Sequence, residues 1–163
     1  MTVRAAELGD AARTGPVVLD GGLGTLLEED GHDLSGAMWS ARVLRETPDA
    51  ISSVHRRFFQ AGADVAIAAS YQASFEGFAA AGIDEAEGTR LLRRAVALAT
   101  EARDEVRPEG WVAASVGPYG AMLADGSEYR GNYGLTVAQL REWHRPRLEL
   151  LAASGPDLLA VET

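Results

Sequence analysis

The stretch DLLAVET, residues 157–163, is a short apolar run that reaches a carboxylate, Glu162, near its end. Three earlier runs have the same character: VVLDGG at 17–22, DVAIAASY at 64–71 and WVAASVGP at 111–118. None of them alternates polar with apolar residues, a pattern typical of strands covered on both faces, as in parallel sheets. The four runs therefore predict four buried, parallel strands.

The runs recur at an even spacing along the chain. Their last positions, Asp20, Ser70, Ser115 and Glu162, lie 50, 45 and 47 residues apart. Three helical patterns fill the gaps, at 47–62, 84–106 and 136–155. Each pattern opens with a capping signal: Thr47 before Pro48, Asp84 with Glu87, and Thr136 with Gln139. Pro146 lies inside the third pattern and predicts a kink or two successive helices there.

Alternating strands and helices indicate an α/β fold with right-handed crossovers. Two architectures remain open at this point: an open doubly wound sheet, or part of a (β/α)8 barrel. A complete barrel takes about 250 residues, so four units in 163 residues correspond to half of one. We expect a single partial domain over residues 1–163, with an N-terminal extension at residues 1–15.

The composition limits the classes of partner. Hydrophobic residues make up 47% of the chain and charged residues 24%, as in soluble globular proteins. The formal charge of −9 disfavours nucleic acid and anionic membranes as partners. The sequence has no Lys and no Cys, so neither a Schiff-base lysine nor a thiolate metal site can be built from it. We expect a cytoplasmic protein.

A glycine-rich turn follows the first run, in LDGGLGTLLEEDG. Gly22 and Gly24 supply the first half of a dinucleotide-binding fingerprint, but the third glycine position holds Leu27. A nucleotide-binding module is therefore an alternative hypothesis, weaker than a plain strand-to-helix turn.

A long segment after the third run is the most informative part of the chain. SVGPYGAMLADGSEYRGNYG, residues 115–134, is rich in glycine, tyrosine and charge, and loops of this length tend to be functional. Its candidate site residues are Tyr119, Asp125, Glu128 and Tyr129. Trp39 and Tyr71 lie just beyond the first and second runs. Each is by default a packing residue, but together they are suited to line a pocket for a cationic group.

Asp20 and Glu162 are the carboxylates that we expect to bind a ligand. In either α/β architecture, ligands bind beyond the carboxyl ends of the strands. Two acids there, with no arginine beside them in sequence, suit a ligand ammonium group. The competing interpretation is that both acids cap neighbouring helices. The three histidines do not form a metal set, and His55 and His144 are expected to be packed and hydrogen bonded.

Several unusual strings, in this order, resemble the homocysteine S-methyltransferase family. The resemblance covers residues 17–163 and is strongest to the branch that uses S-methylmethionine or S-adenosylmethionine as methyl donor. It rests on LDGGLGTLLEEDG, MWSARVL, FFQAGADVAIAASYQASFEGFAAAG, SVGPYGAMLADGSEYRGNYG, HRPRLELL and DLLAVET.

The resemblance implies that the chain is the N-terminal half of a (β/α)8 TIM barrel. It implies that Asp20 and Glu162 hold the amino group of homocysteine. It also implies that Trp39, Tyr71, Tyr119, Asp125, Glu128 and Tyr129 shape the side of the pocket that receives the sulfonium donor.

The family's zinc ion, which stabilises the homocysteine thiolate, is bound by cysteines of later strands, and this chain has no Cys. The resemblance therefore implies an enzyme of methionine biosynthesis whose present fragment is inactive alone. A half-barrel would also expose its first and fourth strands as open edges, so we expect self-association. A non-catalytic remnant of the barrel is the remaining alternative.

Overall fold

Three parallel strands form the sheet of this protein, seen in a computed structural model that describes residues 3–35 and 39–163. The strands are β1 (Val65–Ala68), β2 (Trp111–Val116) and β3 (Leu158–Val161), in the order β1-β2-β3. Ala68 pairs with Ala114, and Val116 pairs with Val161. The three strands coincide with the second, third and fourth apolar runs. Met1 and Thr2 of the N-terminal extension, and Met38 of the MWSARVL string, lie outside the described residues.

The first apolar run forms less regular structure than predicted. Leu19 makes an isolated parallel bridge to Val65, and the Asp20 N–H donates to the Val65 carbonyl at 2.9 Å. The segment therefore runs beside β1 as a fourth parallel segment, but its pairing is too short for a full strand. The side chains of Val18 and Leu19 are 51% and 58% exposed.

Eight α-helices are present among the described residues, more than the three patterns predicted. The predicted patterns correspond to α4 (Pro48–Gln60), α6 (Glu85–Val106) and α8 (Val137–Ala153). The others are α1 (Val3–Thr14), α2 (Leu23–Glu29), α3 (Trp39–Glu46), α5 (Phe75–Ala80) and α7 (Tyr119–Leu123), and a 3₁₀ turn covers Ser127–Tyr129. In the described part of the chain no helix is long and apolar enough to cross a membrane.

The capping signals are confirmed in two of the three helices. Asp84 accepts a hydrogen bond from the Glu87 N–H at 2.8 Å, and Thr136 and Gln139 form a reciprocal capping box. Thr47 occupies the N-cap position of α4 but its side chain makes no capping bond. Helix α8 is continuous through Pro146, so the alternative of two successive helices is wrong.

The core lies between the sheet and the helices α4 and α6. Ile51 and Val54 of α4 and Leu92 of α6 are fully buried, as is Val112 of β2. Burying these side chains contributes about 1.5–3 kcal/mol each. Successive residues of β1 and β2 are buried, so both faces of these strands are covered, as their unbroken apolar pattern predicts, whereas β3 is only partly buried.

An aspartate precedes each of two strands and holds the amino-terminal end of the sheet together. Asp64 accepts from the Val18 N–H at 2.8 Å and pairs with Arg107 at 2.6 Å. Asp157 accepts from the Val112 N–H at 2.8 Å and pairs with Arg103 at 2.8 Å. Arg103 lies in the last turn of α6 and Arg107 directly follows that helix, so one helix end fixes the register of two strand–strand pairs.

Candidate functional site

Polar side chains meet at the carboxyl ends of the four parallel segments. The Ile67 N–H donates a hydrogen bond to Asp20 Oδ2 at 2.8 Å, and the Ser70 hydroxyl donates to the Ser115 carbonyl at 2.7 Å. The Ser115 hydroxyl in turn donates to Glu162 Oε1. These bonds cross from each segment to the next, so the parallel sheet itself positions the two acids.

Asp20 and Glu162 line one cavity of about 310 Å³. The cavity also contains Trp39 and Tyr71, as well as Ser40, Gln72 and Ser115. Four of the eight candidate residues thus line one cavity, and their role in binding a ligand stays a prediction. No arginine in the described part of the chain forms an ion pair with Asp20 or Glu162. The two acids therefore face the cavity without a protein cation to neutralise them.

Burial changes the acidity of Asp20. Desolvation by burial and, to a smaller extent, the negative charge of Glu162 raise the pKa of the Asp20 carboxyl to about 7, against the lowering effect of the Ile67 N–H. A carboxyl with this pKa is partly protonated at neutral pH, and a bound cation would favour its ionised form. The two carboxyls therefore favour the binding of a positively charged ligand group.

Tyr71 forms the link between the cavity and the long loop. Burial raises the pKa of the Tyr71 hydroxyl, and the charge of Glu128 raises it next, followed by Tyr129 and Glu162. Glu128 and Tyr129 therefore lie within electrostatic reach of the cavity although neither lines it.

The remaining loop residues lie outside the cavity lining. The Tyr119 ring packs on Tyr133 and Trp143, with centroid distances of 5.5 and 5.0 Å. Hydrogen bonding by the Ser127 side chain and by its N–H, which lies 2.8 Å from Asp125 Oδ1, lowers the pKa of the Asp125 carboxyl, and Tyr129 is 79% exposed. A role for Tyr119, Asp125, Glu128 and Tyr129 in binding a donor stays a prediction.

A buried arginine behind the cavity was missed by sequence reasoning. Arg147 of α8 is 2% exposed, and its guanidinium donates to the carbonyls of Ala73 at 2.9 Å and Gly117 at 2.5 Å. It lies 5.0 Å from the centre of the Trp143 ring, and burial lowers its pKa to about 10. Its place in the HRPRLELL string was the only available signal.

The histidines differ from one another. His144 Nδ1 lies 3.2 Å from an Arg147 nitrogen, as expected of a hydrogen-bonded imidazole. His55 is fully buried, but neither ring nitrogen has a hydrogen-bond partner among the described residues, so that part of the expectation is wrong. Burial lowers the pKa of His55 to about 4.

The described residues do not fit a metal site. Within residues 3–35 and 39–163, no group of three or more His, Cys, Asp or Glu side chains is arranged to hold an ion. The chain also contains no thiolate ligand.

The glycine-rich turn after the first run packs against neighbouring side chains of the same chain. Leu27, at the third position of the partial fingerprint, is fully buried, and a Cβ on Gly24 would stand 3.6 Å from the Trp39 ring. Nothing in this turn favours a dinucleotide.

Comparison with known proteins agrees with this geometry. Residues 17–163 match the family described as homocysteine S-methyltransferase. The chain is 53% identical over 156 residues to homocysteine S-methyltransferase YbgG of Bacillus subtilis, covering 90% of this chain and 50% of that protein. It is 50% identical over 153 residues to the Escherichia coli homocysteine S-methyltransferase, covering 90% and 49%.

The fold has solved counterparts as well. The crystal structure of the metallated form of the homocysteine methyltransferase MmuM from Escherichia coli aligns with a TM-score of 0.88 at 47% identity. The alignment covers 94% of this chain and 56% of that one. The predicted α/β fold is confirmed, and the chain spans about half the length of the curated relatives that it matches.

Proposed function

The chain belongs to the homocysteine S-methyltransferase family, and on that premise we propose that it carries the amino-acid-binding part of a methyltransferase site. The observation that supports this most directly is the shared cavity of Asp20 and Glu162. In the proposed reaction, homocysteine receives a methyl group and becomes methionine.

The two acids bind the ammonium group of homocysteine. Charge-assisted hydrogen bonds to a carboxylate are about twice as strong as neutral ones. Asp20 is held by the Ile67 N–H and Glu162 by the Ser115 hydroxyl, so each acid is oriented before the ligand arrives. A preoriented site loses less entropy on binding than a mobile one.

The aromatic lining receives the methyl donor. Trp39 and Tyr71 line the same cavity as the acids, and aromatic faces attract cations such as a sulfonium. We place Glu128 on this donor side because its charge acts on Tyr71, and Tyr129 because it follows Glu128 in the same turn. We include Tyr119 and Asp125 there on the family resemblance alone. The donor is S-methylmethionine or S-adenosylmethionine.

Methyl transfer requires the homocysteine sulfur to attack the methyl carbon of the donor. A sulfur–carbon bond forms to the acceptor, and the donor's sulfonium–methyl bond breaks, leaving its electron pair on the departing thioether. A zinc ion, which the family resemblance implies, would keep the acceptor sulfur as a thiolate. This chain has no Cys, and its described residues contain no cluster of acidic or histidine side chains that could hold zinc. The chain's own residues bind and orient the amino acid.

A titration of the 163-residue chain with L-homocysteine, followed by ¹H–¹⁵N NMR, tests the proposal. We expect saturable binding that Asp20→Asn and Glu162→Gln each weaken about tenfold or more, the typical loss of a charged hydrogen bond. Asp10→Asn removes the same charge from the exposed helix α1 and serves as the matched control.

Two results would contradict the proposal, and a third would overturn a separate expectation. Absence of binding by the unaltered chain would favour a non-catalytic remnant of the barrel. Binding of NAD or FMN instead would favour the nucleotide-binding alternative. Zinc-dependent formation of methionine by the chain alone would overturn our expectation that it is inactive by itself.

A further inference from the structure

Three residues that line the cavity each have a buried side-chain oxygen with no hydrogen-bond partner among the described residues. These oxygens are Asp20 Oδ1, Ser40 Oγ and Gln72 Oε1. Buried polar atoms in folded proteins are paired in the great majority of cases, and an unpaired one is costly. Three such atoms around one cavity indicate a ligand that supplies hydrogen-bond donors.

Gln72 is of particular interest because its backbone is fixed on both sides. Arg147 Nη1 donates to the Ala73 carbonyl at 2.9 Å and to the Tyr71 carbonyl at 3.4 Å. The Gly117 N–H also donates to the Tyr71 carbonyl, at 3.2 Å. The residues before and after Gln72 are thus tied to α8 and to the turn after β2. Gln72 therefore lines the cavity from a backbone that is already in place.

The polar side chains of the cavity lining indicate which kind of ligand group would bind to Gln72. The polar side chains of the lining are two carboxyls, three hydroxyls, one amide and the Trp39 indole, and none of them is cationic. The Ser115 hydroxyl is already donated to Glu162. Of the three unpaired atoms, the amide oxygen of Gln72 can only accept, and Asp20 Oδ1 can only accept when the carboxyl is ionised. An ammonium group has three N–H donors and can satisfy both of these oxygens at once.

We propose that Gln72 is a further ligand-binding residue, whose amide oxygen accepts a hydrogen bond from the ammonium group that Asp20 also binds. This inference rests on the proposed function, in which that ammonium belongs to homocysteine. Arg147 acts as a positioning residue that holds the backbone of Gln72 from behind the cavity.

The test compares three variants and two ligands. Gln72→Met keeps the length of the side chain but removes its acceptor, whereas Gln72→Glu keeps an acceptor. Gln60→Met makes the same replacement at an exposed position of α4 and is the matched control. The ligands are L-homocysteine and 3-sulfanylpropylamine, which retains the ammonium and thiol groups but lacks the carboxylate. Dissociation constants come from NMR titration, and circular dichroism melting confirms that each variant is folded.

We expect Gln72→Met to weaken the binding of both ligands about tenfold, as for loss of a hydrogen bond to a charged group. Gln72→Glu should stay within about threefold of the unaltered chain, a change below that of a full hydrogen bond. Gln60→Met should change neither constant.

The outcomes separate this inference from the function on which it rests. If Asp20→Asn abolishes binding but Gln72→Met changes it less than twofold, the function stands and the role of Gln72 is overturned. If Gln72→Met weakens homocysteine binding but not that of the amine, Gln72 contacts the carboxylate instead, which also overturns the inference. If the unaltered chain binds neither ligand, both proposals fail.

Discussion

Asp20 and Glu162 come from the two outermost segments of the parallel array and line the same cavity, where the charge of Glu162 contributes to the raised pKa of Asp20. The effect requires that the two carboxyls be near each other across the intervening strands. Ser115, on the strand between them, donates its hydroxyl to Glu162. The acids thus form one electrostatic unit, and several predictions about pH and binding depend on it.

Binding of an ammonium ligand should strengthen as the pH rises through neutrality. Because the Asp20 pKa is about 7, the carboxyl is mostly protonated at pH 6 and mostly ionised at pH 8. We expect the affinity for L-homocysteine to increase about tenfold over that interval, since only the ionised form attracts the ammonium. Calorimetric titrations at several pH values would measure it. Asp20→Asn should flatten the profile, and an equally steep profile in that variant would assign it to another group.

Removing the Asp20 charge should stabilise the fold at alkaline pH. The folded-state pKa of about 7 lies above the ordinary value of 3.8, so the stability that protonation provides is present below about pH 4 and is lost as the pH rises to 7. At pH 8 we expect Asp20→Asn to raise the free energy of unfolding by about 1–3 kcal/mol. Urea denaturation at pH 5 and pH 8 would test this, and the gain should be larger at pH 8.

His55 should make the fold sensitive to mild acid. Its pKa is about 4 in the folded chain and ordinarily 6.5, so the unfolded chain binds the proton first. Stability is therefore complete above pH 6.5 and falls as the pH drops from 6.5 towards 4, by up to about 3 kcal/mol. His55→Leu should reduce this loss between pH 6.5 and pH 5 in denaturant titrations. His32→Gln, in the loop after α2, is the control, and the same reduction there would exclude His55 as the cause.

Arg147 should be essential for the loops around the cavity. Its guanidinium binds the carbonyls of Ala73 and Gly117, and removing it leaves these buried acceptors unpaired. We expect Arg147→Met to lower the free energy of unfolding by about 2–4 kcal/mol. Arg145→Met, which breaks only the exposed pair with Glu142, should cost less than about 1 kcal/mol. If chemical denaturation shows the same loss of unfolding free energy in both variants, the buried contacts of Arg147 contribute no more to stability than an exposed ion pair.

The outer segments of the sheet should promote self-association. Val161 on β3 is 79% exposed and Leu19 on the first segment is 58% exposed, and unpaired apolar edges recruit other chains. Val161→Lys should shift the sedimentation profile of the chain towards monomer. Val137→Lys, at an equally exposed position on α8, should leave the profile unchanged. A purely monomeric unaltered chain with a cooperative melting transition would contradict the expectation.

Several features of the fold follow from local sequence. The three strands of the sheet and the helices α4, α6 and α8 were predicted because each carries a clear hydrophobic pattern and, in two helices, a capping pair. The short helices α2, α3, α5 and α7 were not predicted. They are five to eight residues long, too short for a periodic pattern to stand out, and are formed where the chain packs on the core.

The first segment and His55 illustrate the limits of pattern reading. Residues 17–22 look like a strand, yet only Leu19 bridges to β1. His55 follows the apolar stripe of α4 as predicted, but whether its ring finds a partner depends on side chains from elsewhere in the chain, and none is present among the described residues.

The sequence by itself determined the parallel α/β arrangement and the presence of carboxylates at the ends of the first and last runs, because strand period and strand ends are local properties. Only the tertiary structure decided that Asp20, Glu162, Trp39 and Tyr71 share a cavity, that Gln72 joins them, and that Arg147 supports them from behind. These relationships arise from contacts between residues far apart in the chain, and burial, which sets the acidity of Asp20, exists only once those residues are packed together.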